Sequence, residues 1–180
     1  MLGRERIAAE TAAEIVISGL LDPMSCWEDA CALPDHDAPP VVACLEVAFA
    51  RVAVARHMFR KTQRAAVAEA LCEAADAIVR RSFPDRGDAA TDAFYAMPLF
   101  EAAPRAVAGY EEPAALPHAL AEALLARLGV HPAHAWQAAP LFGRSGNEAG
   151  ETLRRMRVAA PAEPGRLRLP LPRLAPLFGG

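Results

Sequence analysis

The chain has 180 residues, a length that fits one domain of about 100–200 residues and buries enough surface to fold without a metal or disulfide. Its hydrophobic share of 53% is largely alanine, 42 residues against 11 aromatics, and strand formers are sparse, so the expected class is all-α. The net charge of −3 argues against a nucleic-acid binder, which is usually basic overall, and no helix-turn-helix signature accompanies it.

The first predicted element is a helix from Arg4 to Ser18, with Ile7, Ile15 and Val16 near one face and Gly19 as its stop. Its alternating charges and alanines lack the apolar core of a secretory signal, and a cytoplasmic, bacterial protein is the expectation. Asp22-Pro23 reads as a turn. Ser25 reads as the N-cap of a short helix over Cys26–Ala32, with Glu28 completing a capping box. Residues 33–40 hold three prolines and form a loop.

From Val41 to Arg81 there is neither Gly nor Pro. One long helix fits, as do two bent near Lys61-Thr62. The first half is apolar nearly all round, as in a central buried helix, yet Glu46 and Arg51 interrupt it, so it is too short to span a membrane. Residues 89–110 read as helix broken by Pro98 and Pro104, and Leu116–Leu128 as a helix closed by Gly129. A short helix follows over His131–Phe142, then a loop at 143–147 and another short helix over Glu148–Met156. The whole is expected to be a bundle of about five to seven helices (residues 1–157), with an extended arm at 158–180.

Four cysteines without a secretory signal are expected as reduced thiols. Cys26, Cys31 and His36 have metal-ligating chemistry, but their spacing matches no compact zinc site, and five positions on a helix turn two cysteines apart. No metal or cofactor is assigned to them. Asp35-His36-Asp37 sets an imidazole between two carboxylates in a loop, where the simpler reading is a surface histidine. Leu33-Pro34-Asp35-His36 ahead of an apolar helix is similar to a short motif of helical maturation chaperones of molybdoenzymes; four residues do not make a family match, and no family is assigned on them. His131 and His134 lack the companion glutamates of a carboxylate-bridged metal site and are read as packing residues near a helix start.

Charge is segmented: −7 over residues 1–47, +4 over 48–86, −4 over 87–150 and +4 over 151–180. Such blocks either cancel within the fold or leave basic faces for an acidic partner. Arg56, Arg60 and Arg64, spaced i, i+4, i+8 with Lys61 beside them, make the clearest basic stripe. In the arm, Leu167, Leu169 and Leu171 alternate with Arg166, Arg168 and Pro170, and Arg173, Leu177 and Phe178 follow; an extended chain of this kind docks in a groove of its own core or of a partner. Arginines outnumber lysines 18 to 1, which suits anion recognition but equally the codon bias of a GC-rich genome.

These readings converge on a non-catalytic helical interaction protein. It would act as an accessory, assembly or adaptor subunit, using the basic stripe and the arm to bind a protein partner or a second copy. The competing reading is a helical metal- or cofactor-binding enzyme built from scattered histidines and cysteines, because bundles assemble such sites without linear motifs. A nucleic-acid-binding regulator comes third.

Overall fold

The computed structural model describes residues 6–82 and 115–160. The chain enters through a two-residue strand, β1 (Arg6–Ile7), and then forms α1 (Ala9–Leu20). Gly19 does not stop α1, because Val16, Ile17 and Leu20 all bury and the helix continues until its apolar face is used up. Asp22 caps α2 (Pro23–Cys31): its carboxylate accepts the Ser25 N–H at 2.8 Å, and Pro23 supplies the first helical position. An Asp-Pro pair is thus an N-cap followed by N1 here rather than a plain turn, and Ser25 lies inside the helix.

α3 (Pro40–Thr62) and α4 (Ala65–Ser82) divide the uninterrupted run, with the break at Gln63-Arg64. Gln63 is extended (φ −113°, ψ 158°), and Thr62 Oγ1 donates back to the Met58 carbonyl at 2.6 Å. α3 is the centre of the bundle. It packs against α1, α2 and α4, and against two later helices, α5 (Ala115–Arg127) and α6 (Ala135–Arg155). Val47, Val52 and Phe59 on α3 are fully buried, among Ile17, Leu71 and Phe142 from its neighbours. This is an all-α single-domain bundle with six helices among the described residues.

α5 ends in a Schellman motif. Val130 N–H bonds the Leu125 carbonyl at 2.8 Å, Gly129 N–H bonds Ala126, and Gly129 takes φ +76°, a conformation in which any Cβ is strained. A 3₁₀ turn (Pro132–His134) leads directly into α6, which runs unbroken through the glycine-spaced segment expected to be a loop. Packing decides this: Gly146 and Gly150, one turn apart, face α3. A Cβ on Gly146 would meet Val54 Cγ1 at 3.4 Å, and one on Gly150 would meet Met58 Cε at 2.8 Å. Small residues let the two helix axes approach, and that contact offsets glycine's poor helix propensity of about 1 kcal/mol.

After α6, β2 (Arg157–Val158) pairs in parallel with β1, in the register Arg6 to Arg157 and Ile7 to Val158. Ala159 then donates its N–H to the Ile7 carbonyl at 2.8 Å. The predicted broken helix at 89–110 lies outside the described residues, as does the arm from residue 161 onward. No described helix is long and apolar enough to cross a membrane.

Candidate functional site

One buried charge network fixes α2 in place. Arg51 of α3 is only 5% exposed. Its Nη1 donates to the Leu20 carbonyl at 3.0 Å and to Cys26 Sγ at 3.4 Å. Its Nη2 donates to the Ser25 carbonyl and hydroxyl at 3.1 and 3.0 Å, and pairs with the Asp29 carboxylate. Arg144 of α6 holds the other Asp29 oxygen at 3.1 Å. A guanidinium therefore satisfies a carbonyl left over at the end of α1 and neutralises a buried acid of α2. The result clamps α1, α2, α3 and α6 together.

The same packing settles the cysteines. Burial pushes the Cys26 thiol up to about 11 despite the pull of Arg51, with Cys44 and Asp29 adding to the rise. Burial also raises Cys44 and Cys72. All three are held as thiols at neutral pH, the form that neither attacks nor ligates well. Cys31 is exposed and on a different side of α2, so Cys26 and Cys31 do not converge. No group of three or more metal-ligating side chains forms among the described residues.

With its inner face fixed, α2 turns Met24, Trp27 and Cys31 outward at i, i+3 and i+7, one stripe along the helix. The last turn of α2, the loop after it and the start of α3 enclose a cleft of about 200 Å³. Trp27, Ala30, Leu33, Pro34, Pro40 and Ala43 supply its apolar lining, and Cys31, Asp35 and His36 its polar part. Trp27 is 43% exposed and Met24 65% exposed, a large apolar surface for so short a helix. His36 is half-buried, and its Nδ1 atom is shut off from solvent without a hydrogen-bond partner in the described structure. Glu28, Asp35 and Asp37 are exposed on the same elements, and none makes an ion pair with a described residue. The site is thus a slot of mixed polar and apolar lining, with Asp35 in its wall and Glu28 and Asp37 exposed on the same elements.

The expected basic stripe is not one continuous face. Arg56 is paired with Asp76 of α4, because the two helices pack antiparallel across the Gln63 break. Arg60 and Lys61 lie exposed in the last turn of α3, while Arg64 follows the helix end and leaves the i, i+4, i+8 register. Burial, then Lys61 and Arg60, holds the neighbouring His57 below the ordinary imidazole pKa. Other members of the charge blocks pair inside the fold: Glu46 takes Arg127 through two contacts of 2.5 and 2.7 Å, and Glu14 lies 3.7 Å from Arg81. His131 Nδ1 accepts the Ala133 N–H at 3.1 Å, capping the 3₁₀ turn, and His134 is exposed. Leu167, Leu169, Leu171, Arg173, Leu177 and Phe178 lie outside the described residues.

Two features escaped the sequence reading. The Arg51–Asp29 pair was signalled by a lone arginine inside an otherwise apolar helix. The cleft was signalled by Met24-x-x-Trp27-x-x-x-Cys31 starting at an Asp-Pro cap, next to a proline-rich loop. No protein-family model matches the chain, and no curated protein or solved structure matches it closely enough to assign it to a family.

Proposed function

We propose that this protein is a non-catalytic helical interaction protein, an accessory or adaptor subunit that receives an extended apolar segment with basic side chains from a protein partner. The observation that carries this reading is the half-exposed Trp27 at a slot of mixed lining that includes Asp35, with Glu28 and Asp37 exposed on the same elements. Size narrows the ligand. A slot of about 200 Å³ is below the roughly 300–1,000 Å³ of small-molecule pockets, and suits one or two side chains of a peptide. Charge narrows it further, since the acidic surround repels phosphate backbones and steers basic segments. The clamp at Arg51 supports the same reading, because a preorganised slot loses little entropy on binding. Arg60, Lys61 and Arg64 remain as an exposed basic corner for an acidic region of the same partner.

The test is fluorescence anisotropy with labelled peptides. A peptide alternating Arg and Leu should bind, and its Glu-Leu counterpart at least about ten-fold more weakly, with added salt narrowing the gap. Trp27→Ala should weaken the basic peptide by about ten-fold or more. Equal affinity for both peptides, or no effect of Trp27→Ala, would overturn the proposal.

A further inference from the structure

We propose that Cys31 is a redox-sensing thiol: a hydroperoxide oxidises it to the sulfenic acid, and Cys44 of α3 then closes a disulfide that staples the end of α2 across the cleft. Cys31 is the exposed last residue of α2 and lines the cleft, as does Ala43, the chain neighbour of Cys44. Cys44 itself is buried, 5% exposed, on the face of α3 that meets α2. Helical spacing fixes that face. Cys44 and Arg51 stand seven positions apart, two turns along one stripe, and Arg51 contacts Ser25, Cys26 and Asp29 of α2. The two helices run antiparallel, since the end of α2 meets the start of α3 at the cleft while earlier residues of α2 meet Arg51 further along. A step of about 10 Å back along α3, from Arg51 to Cys44, therefore matches a step of about 7 Å forward along α2, from Cys26 to Cys31. The closeness is also electrostatic: burial raises the Cys44 thiol, Arg51 opposes the rise, and a negative charge on Cys31 adds to it.

The chemistry balances with a hydroperoxide as the only co-reactant. The Cys31 thiolate attacks a peroxide oxygen and the O–O bond breaks. The sulfur gains a hydroxyl, and the rest of the peroxide leaves as water or an alcohol. The Cys44 sulfur then attacks the Cys31 sulfur: the S–S bond forms, the S–O bond breaks, and the hydroxyl leaves with the Cys44 proton as water. Two thiols are oxidised and one peroxide is reduced. Burial divides the labour. Cys31 is open to the oxidant, whereas Cys44 is shielded from it and held as a thiol until a sulfenic acid forms beside it. Cys26 does not take that role, because five positions on one helix turn it away from Cys31, and Arg51 Nη1 holds its Sγ at 3.4 Å. At the end of α2, only the final turn has to open for the Cys31 sulfur to swing inward, a small cost at a helix terminus. The staple draws that turn against Pro40 and Ala43 and narrows the slot; this closure, which rests on the reading of the cleft as a peptide site, shuts out the partner.

The experiment treats the reduced full chain, in dilute solution, with a small excess of hydrogen peroxide. The remaining thiols are blocked with iodoacetamide and the products mapped by mass spectrometry. The expected product is a Cys31–Cys44 linked peptide, present in the wild type and absent from Cys31→Ser and Cys44→Ala. In Cys44→Ala the sulfenic acid at Cys31 should persist and be captured by dimedone, with circular dichroism confirming the fold. Cys31→Ser alters only an exposed side chain, so its loss of the link is decisive even if Cys44→Ala fails to fold. The proposal is overturned if Cys44 of the wild type stays fully alkylated while Cys31 goes on to the sulfinic acid, or if Cys31 links to Cys26 or to a second molecule. The peptide alternating Arg and Leu reads the cleft: the oxidised chain should bind it about ten-fold more weakly than the reduced one, and dithiothreitol should restore binding. If the link forms and both forms bind the peptide equally, the closure of the cleft is wrong. If the link forms and neither form binds, the peptide reading of the cleft fails while the disulfide stands.

Discussion

At the scale of single residues, Arg51 shows how a charge can be buried without being a catalytic group. Its terminal nitrogens donate to acceptors at the end of α1 and on α2, and Asp29 neutralises it. Removing one partner of such a pair leaves an uncompensated charge, whereas replacing both can be nearly neutral. Arg51→Met is therefore expected to lower the unfolding free energy in urea by about 3 kcal/mol, and Arg51→Met/Asp29→Leu to recover part of it, the remainder reflecting the lost Arg144 contact. A single-variant cost below about 1 kcal/mol would mean that the network is not what holds α2. Cys26 gives a second prediction, with its sign fixed by linkage. Its folded pKa of about 11 exceeds the unfolded value near 9, so the fold favours the neutral thiol. That contribution is fully present below about pH 9 and is lost as pH rises through 11. Stability measured from pH 8 to 11 should fall on the alkaline side, and Cys26→Ala should flatten the fall; an unchanged slope would assign it to other groups.

At the scale of elements, glycine illustrates why the same substitution can take opposite signs. Gly143 lies in α6 with nothing within 4 Å of an added Cβ, so Gly143→Ala should stabilise by roughly 0.5–1 kcal/mol through helix propensity alone. Gly129 also has open space, but its φ of +76° makes Gly129→Ala destabilising by about 1 kcal/mol. Thermal melts of the two variants should shift in opposite directions, and a shared direction would contradict the α6 assignment. Gly129 was legible in the sequence as a stop because a backbone requirement acts locally. The glycines of α6 were not, because what selects Gly146 and Gly150 is Val54 and Met58, nearly a hundred positions away in the chain. Of the two alternatives open for the run from Val41 to Arg81, the structure takes the two-helix one, with its break within two residues of Lys61-Thr62, and the apolar character of α3 was legible as a periodic signal within one helix. The cleft was not read as a site: Cys31 and His36 were weighed together with Cys26 only as metal ligands, while Trp27, Pro40 and Ala43 come together only when α2 folds back on α3.

At the scale of the whole molecule, the core is one cluster with α3 at its axis. Residues of α1, α2, α4, α5 and α6 all enter that cluster, and the closing β1–β2 pair ties the region before α1 to the end of α6. None of the described helices buries its apolar face alone: α2 and α6 lie on α3, α4 lies on both α1 and α3, and α5 lies mainly on α6. Loss of any one element should therefore expose the rest, and unfolding should be a single transition. The two tryptophans test this from different helices, Trp27 on the outer face of α2 and Trp136 in the first turn of α6. In urea, the tryptophan signals of Trp27→Phe and Trp136→Phe variants should coincide with the helical signal at 222 nm. Val47→Ala, which removes fully buried atoms at the axis, should move all three midpoints together by an amount equivalent to about 2 kcal/mol. A Trp27 transition that runs ahead of the other two would instead make α2 a separately melting element. The clamp at Arg51 would then fail to couple the cleft to the core, and the slot would lose the preorganisation on which peptide docking depends.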